Sequence, residues 1–145
     1  MLTIQMLAPS SERFVDLLRT GIILNTENFE RCVAFYESVL GLRTMFSKEE
    51  GEHRLACLEF GGAYLMVETG GVAKPSGKSI EENCAKLRLH VKNLEAARQH
   101  LVAHGLRAEI AEFPWGSTIN IYDPDGNRIG IREEQEFSKQ VAHFG

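Results

Sequence analysis

The chain has 145 residues, 43% hydrophobic and 25% charged, with 20 acidic against 16 basic side chains and a formal net charge of −4. That length suits one domain burying roughly 68–70% of its unfolded surface. The acidic balance and the lack of a basic run exclude a protein built to neutralise nucleic-acid phosphates.

No apolar run reaches signal or transmembrane length, so no membrane association is expected. Cys32, Cys57 and Cys84, odd in number and far apart, read as reduced thiols of a cytoplasmic protein.

Residues 1–20 stand outside the pattern that follows and are read as an N-terminal extension. Leu2, Ile4 and Met6 alternate like a short strand, and Pro9-Ser10-Ser11-Glu12 resembles a helix start, with Phe14, Leu17 and Leu18 on one helical face. The segment is either a surface cap or a dimer arm.

A strand is predicted from Ile22 to Leu24. A helix follows, capped by Thr26 or Asn28 and ending at Leu40, with Phe29, Val33, Tyr36 and Leu40 as its buried stripe and Cys32 and Val39 beside it. Gly41 supplies a left-handed stop. Strands near 43–47, 54–60 and 63–68 come next, with 48–52 as a polar turn, and residues 70–78 form a Gly/Pro/Ser linker.

The order then repeats. A strand is predicted over 86–91, a helix over 94–104, a stop at Gly105, and strands near 107–112, 117–122 and 128–132. Asn93 answers Asn28 and Gly105 answers Gly41, a period near 65 residues. Two copies make a duplicated module rather than a solenoid, which needs three or more. Asp123-Pro124-Asp125-Gly126-Asn127 reads as a tight hairpin turn, and residues 134–145 as an amphipathic tail helix carrying Phe137, Val141 and Phe144. The fold class is α+β, two tandem βαβββ modules (21–69 and 84–133) within one domain spanning 21–133.

Alternation along a strand sends neighbours to opposite faces. Leu87, Leu89, Val91, Ile119, Ile121, Ile129 and Ile131 point to the helix side. Lys86, Arg88, His90, Asn120, Tyr122 and Arg128 then share the second face, with Tyr64 and Met66 on the matching face of module one and Trp115 nearby. One side of an antiparallel sheet is ordinarily solvated. Flat apolar side chains beside the charges favour a ligand cleft instead.

Phe35-Tyr36 ahead of Val39-Leu40-Gly41-Leu42, and Pro114-Trp115-Gly116 ahead of Asp123-Pro124-Asp125-Gly126-Asn127, on paired βαβββ modules, resemble the vicinal oxygen chelate superfamily, which holds glyoxalases, extradiol dioxygenases, and fosfomycin- and bleomycin-resistance proteins. The resemblance implies metal ligands on the first and last strand of each module. Those positions carry Gly21, Met66, Lys86 and Gly130, none of which suits a hard divalent ion; a register shift offers only Glu68.

No metal and no cofactor are therefore expected. The implied function is metal-independent binding of an antibiotic- or metabolite-like small molecule, anionic or aromatic, by a homodimer of the bleomycin-resistance type. Two alternatives stay open. One is a glyoxalase-like lyase, isomerase or dioxygenase with displaced ligands, or with His90 and Glu68 as a weak acid–base pair. The other is an interaction module with no ligand.

Overall fold

A computed structural model of the chain describes residues 15–145. The strand and helix start expected over residues 2–12, and Phe14, lie outside that range. Residues 15–20 form no helix or strand, and Leu18 is 93% exposed.

Module one comprises β1 (Gly21–Thr26), α1 (Phe29–Ala34), β2 (Thr44–Glu50), β3 (His53–Phe60) and β4 (Ala63–Thr69). Module two comprises β5 (Leu87–Val91), α2 (Leu94–Ala103), β6 (Ile110–Phe113), β7 (Gly116–Tyr122) and β8 (Arg128–Glu133), and α3 (Glu134–Phe144) ends the chain. Each module is a four-stranded mixed sheet, ordered β1-β4-β3-β2 and β5-β8-β7-β6. In each, the first strand runs parallel to the last and the remaining pairs are antiparallel. The helix between first and second strand supplies the crossover that a parallel pair requires.

Two local differences from the sequence reading have physical causes. The segment expected as the turn 48–52 is mostly strand: β2 runs to Glu50, with Lys48 opposite Leu55 and Glu49 opposite Arg54, so the turn shrinks to Gly51-Glu52. Charged side chains on an edge strand are a common guard against edge-to-edge pairing, and they need not mark a loop.

The first helix also leaves α-helical register. Residues Phe35–Val39 form a π turn, in which Leu40 N–H donates to Phe35 O at 3.1 Å. Phe35 and Tyr36 both face the core, three and four residues after buried Cys32 as one helical face provides, and the wider turn begins at Phe35. Gly41, with φ +76°, then ends the element in the left-handed conformation.

A single apolar core joins the modules on their helix sides. Cys32, Phe35, Tyr36, Leu58, Leu65 and Val67 of module one pack in one cluster with Leu87, Leu94, Leu101, Ile119, Ile121, Ile129 and Ile131 of module two. Leu87, Ile119, Ile121, Ile129 and Ile131 are among the residues that strand alternation assigned to the helix side, and Leu89 and Val91 pack against the cluster half-buried. The second faces of both sheets are left for other work.

The junction is sealed by the Asp-Pro-Asp-Gly-Asn turn, which does more than reverse the chain. Asp125, fully buried, accepts the backbone N–H of Glu27 at 2.7 Å and of Asn28 at 3.1 Å, and the Asn28 side chain at 3.0 Å. Asp123 accepts the Tyr36 hydroxyl at 2.7 Å and the Asn127 N–H and amide. Burial first, and the neighbouring carboxylates second, push the Cys32 thiol and the Tyr36 phenol well above their ordinary pKa values, which keeps both neutral.

Candidate cationic ligand face

The second face of module two is assembled from three strands. Lys86 leads into β5, Arg88 and His90 follow on it, Thr118, Asn120 and Tyr122 project from β7, and Arg128 and Arg132 from β8. Gly130 lies between them. A Cβ at residue 130 would meet Lys86 Cε at 2.9 Å, Arg88 Nη1 at 3.0 Å and Lys86 Nζ at 3.3 Å. Having no side chain there lets two cations converge over one point of the sheet.

Each cation on this face is held by a neutral oxygen. Lys86 Nζ donates to Asn120 Oδ1 at 2.9 Å, and Arg88 Nη1 to Thr118 Oγ1 at 3.3 Å. Arg128 Nη2 donates to the carbonyls of Asn83 and Ala85, and Arg132 to Gln140 Oε1 at 2.7 Å and the Trp115 carbonyl at 3.3 Å. None of the four takes part in an ion pair among the described residues.

Repulsion adds to burial for two of them, Lys86 and Arg88. Partial burial, then Arg88 and Arg128, hold the Lys86 ammonium below its ordinary pKa; burial, then Arg132, does the same for Arg88.

Trp115 supplies a flat wall. Its ring stacks parallel to Phe113 with centroids 5.4 Å apart, and the Arg88 and Arg132 guanidinium carbons lie 5.3 and 4.8 Å from its centre. His90 is engaged elsewhere, with Nδ1 2.8 Å from Glu134 Oε1 and its ring edge-on to Phe137. Two other members are partly spent on the linker. Gly77 passes against the Tyr122 ring, and Arg128 ties down residues 83–85. The unspent core of the face is therefore exposed Lys86, Arg88 and Asn120 with half-buried Trp115.

Tyr64 and Met66 occupy the matching face of module one, as alternation required, but they do not stand opposite the cations within one chain. Ile23 and Phe46, on the Tyr64 side of that sheet, remain 53% and 49% exposed, and Lys86, Arg88 and Asn120 are exposed as well. Sheets closed over one another would bury all of these. A cavity of about 620 Å³ between the end of the first helix, β5 and α2 is bordered by Arg88 and His90, with Val39, Leu89 and Leu101 forming apolar wall; neither Tyr64 nor Met66 reaches it. Glu68 bonds His53 Nε2 at 2.9 Å, so Glu68 and His90 have separate partners and do not meet as an acid–base pair.

The four positions at which a chelated metal is implied by resemblance do not fit one. The Tyr64 ring fills the space a side chain at Gly21 would need, the Gly130 corner is occupied by an ammonium and a guanidinium, and Met66 offers only a thioether. Among the described residues no three His, Cys, Asp or Glu side chains converge on a point.

Arg132 alternates with Ile131 on β8 and so shares this face; its burial against Phe137 and Gln140 depends on where α3 docks, which no local pattern reveals.

A family model described as the Glyoxalase/Bleomycin resistance protein/Dioxygenase superfamily matches residues 18–131. Among solved structures, glyoxalase I of Leishmania major, described as trypanothione-dependent, aligns with TM-score 0.70 at 16% identity, covering 88% of this chain and 94% of that one. TnmS3, an antibiotic binding protein from Streptomyces sp. CB03234, aligns with TM-score 0.64 at 17% identity, covering 83% and 98%. The fosfomycin resistance protein FosX of Listeria monocytogenes, in complex with Mn(II) and sulfate, aligns with TM-score 0.61 at 14% identity, covering 81% and 92%. No curated protein sequence matches the chain.

Proposed function

The chain belongs to the glyoxalase/bleomycin resistance protein/dioxygenase superfamily, and within it we propose that this member binds an anionic, planar small molecule without a metal. One observation carries the reading: four cations share a sheet face, and among the described residues each is satisfied only by a neutral oxygen. A carboxylate or similar anion exchanges those weak partners for charge-assisted hydrogen bonds, worth on the order of 1.5–3 kcal/mol. Lys86 and Arg88 take the charge, Asn120 orients it, and Trp115 stacks on the guest's ring. The fold is shared with an antibiotic binding protein as well as with a glyoxalase, so it accommodates a binder.

The cleft is completed in a homodimer, with module one of a second copy placing Tyr64, Met66, Ile23 and Phe46 over the cations. The exposed apolar side chains of that face favour this arrangement. Three free thiols fit a cytoplasmic setting.

The direct test is calorimetric titration of chelator-treated protein with 2-naphthoate and with neutral 2-naphthamide. Preference for the carboxylate, lost in Lys86→Ala, supports the proposal. Equal affinity for both probes, or binding only after a divalent metal is added, overturns it.

A further inference from the structure

The tail helix does more than end the chain. It lies across the far end of the cationic face, where Phe137 meets His90, Glu136 Oε1 accepts the Ser117 N–H at 3.1 Å, and Gln140 accepts Arg132. Arg132 is only 5% exposed. Its guanidinium sits between the rings of Trp115 and Phe137, 4.8 and 5.5 Å from their centres, and its Nε finds no acceptor. A guanidinium this buried ordinarily has a carboxylate partner, because taking a charge out of water without one is costly. Here its Nη1 donates instead to Gln140, the neutral counterpart of glutamate, while the Glu134 carboxylate, which feels the Arg132 charge, is bonded to His90 and Ser138.

We propose that Arg132 is a deliberately unpaired charge buried behind the anion site, kept so by Gln140 and Phe137 of the tail helix, which act as positioning residues for ligand affinity. This rests on the anion-binding reading above and assigns the tail a part in it. A guest need not touch Arg132. A buried charge is screened far less than a surface one, so its field adds to that of Lys86 and Arg88 at the mouth of the face. The same charge holds the Trp115 carbonyl and ring, so the stacking wall and the electrostatic floor are fixed by one side chain.

The arrangement separates stability from binding, which gives a test that a merely structural contact would not pass. Gln140→Glu changes an amide to a carboxylate of the same shape and pairs the charge. The melting temperature should rise while affinity for 2-naphthoate falls by about tenfold, the size expected for cancelling one weakly screened charge. Affinity for 2-naphthamide should hold. Arg132→Gln should weaken 2-naphthoate similarly.

The proposal is overturned if Gln140→Glu binds 2-naphthoate as tightly as the parent chain, or if its melting temperature drops. If that happens while Lys86→Ala still abolishes the preference for the carboxylate, only the role of the tail fails. If the parent chain shows no preference for the carboxylate, the anion-binding reading fails with it.

Discussion

The two modules repeat one architecture and differ in what their second faces carry. On module one, Ile23, Phe46, Tyr64 and Met66 make an apolar platform, and its carboxylates are already matched, Glu59 with Arg43 and Glu68 with His53. On module two the same face holds cations that form no ion pair with a carboxylate among the described residues. Duplication preserved the side that must pack, because both helix-side faces enter one core. It left the other side free to diverge, since among the described residues only the linker and the tail helix touch that face, at its margins.

The two helix starts differ in the same way. Asn93 caps α2 by accepting the N–H of Ala96 at 2.9 Å, a contact within three residues. Asn28, its counterpart, makes no such bond. Its backbone and side chain are taken by Asp125, 97 residues away. One module closes its own helix, and the other has its helix closed by its sister.

That contrast predicts unequal damage. Asp125→Ala should be the most disruptive change, costing about 3 kcal/mol or more, because it strands three donors and removes a charged acceptor at the junction. Equilibrium urea unfolding measures it. A loss below that of Asn93→Ala would mean that the turn does not hold the modules together.

Next in size is the ligand face. Lys86→Ala should weaken 2-naphthoate by about tenfold with little change for 2-naphthamide, the discount on a charge-assisted bond reflecting partial exposure. Ile23→Lys, on the apolar platform, should leave the fold intact and shift the sedimentation of the protein to that of a single chain. Unchanged sedimentation would remove module one's face as the second wall. Asn93→Ala should then cost about 1 kcal/mol, the usual value of a local cap.

The smallest effect is in pH. Lys86 titrates below its ordinary range because burial and two guanidinium groups oppose its charge. Its ammonium form is thus disfavoured by folding, a penalty present at neutral pH and relieved as pH rises through its lowered pKa. A bound anion favours the ammonium, so affinity for 2-naphthoate should hold through neutral pH and decline in the alkaline range. Lys86→Arg should extend the plateau upward. A decline at the same pH in that variant would assign it to another group.

Much of this was legible without a structure because it depends on periods of two and 3.6 residues. The duplication, the helix-side core and the shared face of Lys86, Arg88, Asn120 and Arg128 all follow from alternation and the positions of Asn and Gly. The π turn was not legible, since Cys32, Phe35 and Tyr36 carry the spacing that a regular helix also buries on one face. Nor was the role of Asp123 and Asp125, whose spacing marks a turn whether or not another module docks on it.

The amino-acid order by itself determined which residues share a face, because a side chain's direction on a strand is set by the backbone beneath it. Only the tertiary structure decided which charges stay unpaired and which are spent on the linker, and that the second faces of the two sheets do not meet within one chain. Those outcomes depend on how separate elements dock, and pairing across long stretches of chain leaves no mark on the local pattern.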